Sequence, residues 1–97
     1  MNKIEIIKKQ VKPILEKHHI KKASLFGSLA RGEEKKNSDA DFLVQFPLNY
    51  GGLFAMARLK RDLEKTLKRK VDLSTYKAIN PLIRKHINKD KIIIYER

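Results

Sequence analysis

The run Leu25-Phe26-Gly27-Ser28-Leu29-Ala30-Arg31-Gly32, followed by a polar connector and then Ser38-Asp39-Ala40-Asp41-Phe42-Leu43-Val44, leaves this chain few folds to choose from. It parses as strand, tight turn, first turn of a helix, loop, strand. The apolar pair Leu25-Phe26 stops at Gly27, and Ser28 stands where a helix N-cap is expected. A helix N-terminus behind a glycine offers bare N–H groups and the positive dipole end to an anion. In a strand, positions i and i+2 share a face, so Asp39 and Asp41 project together while Ala40 turns away. A phosphate cradle facing a carboxylate pair suits a metal-bound nucleotide, because Mg²⁺ takes carboxylate oxygens together with substrate phosphate oxygens.

The flanking pattern supplies the rest of the fold. Ile4, Ile7, Val11, Ile14 and Leu15 recur at helical spacing over residues 3–18. Pro13 lies inside that pattern and predicts one kinked helix, or two short ones joined near Lys12. His18 and His19 close the helix as a surface-exposed, dipole-compatible end. Strands are expected over 22–27 and 40–46, with a helical turn over 28–32 ended by Gly32 and a polar connector over 33–37. Phe42, Val44 and Phe46 share one strand face, and Asp39, Asp41 and Leu43 the other. Pro47 stops the second strand, and Asn49, Gly51 and Gly52 make a loop. A helix over 53–69 buries Met56, Leu59, Leu63 and Leu67, with Phe54 read as core and Glu64–Lys68 as an i,i+4 ion pair. A third strand over 70–75 carries Asp72 between Val71 and Leu73. Asn80-Pro81 opens a short helix with Leu82, Ile83 and Ile87 as its apolar positions. A last strand covers 91–96. The expected result is an α+β domain spanning 1–97: a small mixed sheet of about four strands with helices on one face and carboxylates on the other.

Composition narrows the function classes. With 97 residues the chain fills one core. It has no Cys, which excludes disulfides and thiolate metal sites and suits the cytoplasm. No apolar run approaches a membrane span. The net charge of +12 attracts polyanions or an acidic partner. Its basic residues are spread along the chain, which favours a solvated surface over a nucleic-acid arm.

Placing Asp72 on a strand beside Asp39 and Asp41 brings three acids together, able to hold one or two Mg²⁺ ions. Asp72 then serves as a ligand or as the base for an attacking hydroxyl. Gly27 allows close backbone approach, Ser28 and nearby amides meet the β- and γ-phosphates, and Arg31 on the same side as Ser28 neutralises a phosphate. Each feature alone is commonplace: Gly-Ser pairs cap helices, and exposed aspartates and arginines abound. Their joint arrangement is what points to nucleotidyl transfer.

These motifs carry a family resemblance over nearly the whole chain. Gly27-Ser28, ten residues, then Asp39-x-Asp41 resembles the signature of the DNA polymerase β-type nucleotidyltransferase superfamily. Ala30-Arg31-Gly32, Ser38, Val71-Asp72-Leu73, Asn80-Pro81 and Ile94-Tyr95-Glu96 resemble its minimal nucleotidyltransferase (MNT) branch. The resemblance implies the polymerase β-like nucleotidyltransferase fold. It also implies that Asp39, Asp41 and Asp72 are the catalytic and metal-binding acids, with Gly27 and Ser28 at the nucleotide. It further implies an antitoxin that transfers AMP from ATP to a tyrosine of a HEPN-domain RNase toxin, and hence a hetero-oligomer. Two other readings stay open: an antitoxin that acts by binding alone, and a basic nucleic-acid-binding module. The second is disfavoured by only three Tyr, four Phe and no Trp, with the phenylalanines expected in the core.

Overall fold

Among the described residues, strand β1 (Lys22–Phe26) sits inside a four-stranded sheet of order β3 (Val71–Thr75), β2 (Ala40–Gln45), β1 and β4 (Ile92–Glu96). In the computed structural model, residues 3–32, 39–48, 52–76 and 89–97 are described. Their elements run α1 (Lys3–Lys17), β1, α2 (Gly27–Arg31), β2 (Ala40–Gln45), α3 (Leu53–Leu67), β3 (Val71–Thr75) and β4 (Ile92–Glu96). β1 pairs antiparallel with β2 and β4, whereas β2 and β3 run parallel. The sheet is therefore mixed, as the sequence implies, and the architecture is α+β. The expected connector over 33–37, the turn at Asn49 and Gly51 and the helix opening at Asn80-Pro81 lie outside the described residues. Among the described residues no helix is long and apolar enough to cross a membrane.

One face of the sheet holds the core. Ile7, Val11 and Leu15 of α1 and Leu59 and Leu63 of α3 pack against Ala23, Leu25, Phe42, Val44 and Ile94. Strand alternation then sends Ser24, Asp41, Leu43 and Asp72 to the face away from α1 and α3. Leu43 is as buried as the core residues, and so is Ser24 beside it in register. The Tyr76 hydroxyl meets the Ser24 hydroxyl at 2.5 Å across intervening β2. Part of the second face is thus closed by a phenol.

α1 is one helix rather than two, with Pro13 inside it, which is one of the two arrangements the sequence leaves open; three other local expectations change. Pro13 and Lys9 are both exposed, so the carbonyl that a proline cannot serve faces water. His18 is buried rather than superficial, and its Nε2 lies 2.7 Å from Asp62 Oδ2 of α3. Glu64 does not act chiefly as a surface partner: its carboxylate accepts the Val71 N–H at 2.9 Å, tying α3 to the start of β3. Phe54 is exposed, not core. The buried line of α3 is Ala55, Leu59 and Leu63 at i, i+4, i+8, and Phe54 is rotated about 140° from its middle.

Two phenylalanines therefore have opposite energetic roles. Phe42→Ala empties a fully buried site and should cost about 3–5 kcal/mol. Phe54→Ala should stay within roughly 0.5 kcal/mol. Urea unfolding of the two variants measures the difference.

Candidate active site

The site is built where three strand ends meet. Parallel pairing puts Asp41 of β2 directly beside Asp72 of β3. The Ala40 N–H donates to the Lys70 carbonyl at 2.9 Å, extending the ladder one step before these acids. Together with the Glu64–Val71 bond, it fixes both strands at the point where their carboxylates emerge. Asp39 precedes β2 and is exposed.

The turn after β1 comes to the same place. Phe26 is the register partner of Asp41, so the chain leaves β1 beside the carboxylate. Gly27 has φ +74°, in the left-handed region, and a Cβ built on it would overlap Asp41 Oδ2 and lie 3.1 Å from Asp41 Cγ. Only glycine combines that backbone conformation with that approach. The helix begins one residue earlier than the sequence suggests: α2 starts at Gly27, its N-cap is Phe26, and no side chain caps it. Ser28 is thus inside the first turn rather than at the N-cap. Gly32 closes the helix at φ +72°, and its N–H donates to the Leu29 carbonyl at 3.2 Å.

Electrostatics follow from the crowding. Burial first, then the charges of Asp72 and Asp39, push the Asp41 carboxyl up from 3.8 to about 6, with Arg31 opposing. Arg31 is therefore near the acids, but its Nη1 donates to Asp90 Oδ2 at 3.3 Å. Among the described residues, no three His, Cys, Asp or Glu side chains are grouped closely enough to hold one metal ion. The all-oxygen set still fits a hard divalent cation, since Mg²⁺ is commonly bound by one or two carboxylates with substrate phosphates completing its shell. Crowded, partly desolvated carboxylates are also the groups a cation would relieve.

Asp90 and Tyr76 went unremarked at the sequence level. Tyr76 was within reach of strand logic, since 72, 74 and 76 alternate to one side. Lys22 and Lys91 place their Nζ atoms 5.5 and 5.3 Å from its ring centroid. Asp90 had no local signal, being 59 residues from Arg31.

Two stability predictions follow from this geometry. Because the folded chain holds the Asp41 proton more tightly than the unfolded chain, ionising Asp41 costs stability. That cost is absent below pH 3.8 and grows as pH rises through about 6. Without divalent cation, Asp41→Asn should raise Tm at neutral pH, and the gain should vanish below pH 3.8. Gly27→Ala should lower stability by about 1–2 kcal/mol in urea unfolding, from the left-handed backbone alone.

The comparisons with known proteins agree with this geometry. The family described as Polymerase beta, Nucleotidyltransferase matches residues 9–97. A Methanocaldococcus jannaschii protein provisionally named a protein adenylyltransferase is 46% identical over 84 residues, covering 87% of this chain and 89% of its own length. A solved structure provisionally described as a minimal nucleotidyltransferase aligns with TM-score 0.78 and 32% identity, over 92% of this chain and 93% of that one. The fold is also similar to a chain in the tri-AMPylated Shewanella oneidensis HEPN toxin in complex with MNT antitoxin, with TM-score 0.74 and 16% identity, over 97% of this chain and 73% of that one. A glycine turn pressed onto one of two register-paired aspartates, in a chain matched from residue 9 to residue 97, places this protein in the polymerase β nucleotidyltransferase family.

Proposed function

We propose that this chain is a cytoplasmic, Mg²⁺-dependent protein adenylyltransferase. In this reading it moves AMP from ATP to a tyrosine hydroxyl of a HEPN-domain toxin and so neutralises it. The observation that carries the reading is the pairing of Asp41 with Asp72 beneath the Gly27 turn. The names of the relatives supply the class of acceptor: the M. jannaschii protein carries the adenylyltransferase name, and the S. oneidensis complex holds an AMPylated HEPN toxin.

In the proposed reaction the tyrosine oxygen attacks the α-phosphorus of ATP. The new O–P bond forms as the bond from that phosphorus to the β-phosphate oxygen breaks, and pyrophosphate leaves. Asp72 receives the phenolic proton. The three acids are not grouped closely enough to hold one ion by themselves; Asp39, Asp41 and Asp72 would share the metal with substrate phosphate oxygens, and when bound it would neutralise phosphate charge and lower the barrier to in-line displacement. Gly27 and Ser28 sit beside the leaving pyrophosphate. Arg31 exchanges its contact with Asp90 for a phosphate oxygen, an exchange suited to a guanidinium fork. The chain's main contribution is positioning, the dominant need in phosphoryl-type transfer.

The test is transfer of label from α-labelled ATP to purified HEPN protein in the presence of Mg²⁺. The wild-type chain should label it. Asp39→Asn combined with Asp41→Asn should reduce labelling by at least about 10³-fold while the domain stays folded. If the double variant still neutralises the toxin in full, neutralisation proceeds by binding rather than by AMP transfer.

A further inference from the structure

α3 presents a face that neither the core nor the acids use. Leu53 and Phe54 open the helix at 88% and 83% exposure, and Leu48, at the other end of the β2–α3 connection, is 82% exposed. Large apolar side chains this bare, grouped within one short stretch, are uncommon on an isolated soluble surface. From Phe54 the same helical face continues through Ala57, Arg58 and Arg61, all exposed.

The charges of α3 are sorted by direction. Its two acids are engaged within the chain: Asp62 with His18 and Lys17, and Glu64 with the Val71 N–H. The outward face is left with an apolar head and a cationic tail. Such a face is complementary to a protein surface with an apolar pocket bordered by carboxylates. A second copy of this chain fits poorly, because it would bring cationic faces together on molecules of charge +12. A nucleic acid would use the arginines but has no need of Leu53.

We propose that the outward face of α3, led by Leu53 and Phe54 and continued by Arg58 and Arg61, is the docking surface for the acidic flank of a protein partner. The partner is taken to be the HEPN protein of the proposed function, so its identity rests on that reading. Because α3 packs on the core face, the docking surface and Asp41–Asp72 lie on opposite sides of the sheet. A partner seated on α3 does not itself cover the acids, so the tyrosine to be modified must belong to a part of the partner outside the docked flank, and holding becomes separable from chemistry.

Calorimetric titration with purified HEPN protein tests this, since the substituted positions are exposed and the variants should fold. Phe54→Ser and the pair Arg58→Glu, Arg61→Glu should each weaken binding at least about tenfold, as for anchors at an interface centre. Mg²⁺·ATP affinity should be unchanged in both. Unchanged HEPN affinity overturns the proposal. Loss with the arginine variant alone, accompanied by RNA binding of steep salt dependence, overturns it in favour of a nucleic-acid surface. A dimer abolished by Phe54→Ser in sedimentation overturns it in favour of self-association. The two readings fail separately: a wild-type chain that binds HEPN through Phe54 but never labels it upholds the docking surface and refutes the transfer reaction.

Discussion

Two carboxylates held side by side at the ends of parallel strands are the constraint around which this molecule is arranged. Partial burial disfavours the Asp41 charge, and repulsion from Asp72 and Asp39 adds to the penalty, so that Asp41 holds its proton to about pH 6. A fold keeps such a pair only if other forces over-determine the strand positions. Here the parallel ladder from Ala40–Val71 to Val44–Thr75 does so, reinforced by the Ala40–Lys70 and Val71–Glu64 bonds at its entrance. The local instability is of the kind a substrate-borne cation would relieve, which couples the crowding of the acids to their chemistry.

The Gly27 turn extends the same logic. Its backbone occupies space that any Cβ would contest with the Asp41 carboxylate. A five-residue helix follows at once and is closed by Gly32 in a left-handed conformation. The turn, the helix and Arg31 are therefore a single short unit locked between β1 and β2. Arg31, close enough to lower the Asp41 pKa while bonded to Asp90, links that unit to the residues that lead into β4.

The sheet also divides labour. One face is an apolar interface with α1 and α3, sealed at its edge by buried His18 on Asp62. The other carries the acids at one end and the Tyr76–Ser24 contact further along. Hydrophobic burial, the larger energetic contribution, stays away from the charged groups, so each face answers to its own physical demand.

The sequence by itself determined what is local or periodic. The strand–glycine–helix turn, the stripes of α1 and α3 and the strand boundaries within a residue or so were legible because period and breakers act over a few positions. The phase of α3 was legible too, yet hydrophobicity alone put Phe54 inside, where its angle from Leu59 and Leu63 excludes it. Tertiary structure alone decided the rest. It set Asp72 in register with Asp41, drew His18 onto Asp62 across 44 residues, turned Arg31 to Asp90 and brought the Gly27 backbone against a carboxylate. Each of these is a meeting of residues distant in the chain, specified by how strands pair and helices pack, and no pattern within a few residues of either partner encodes it.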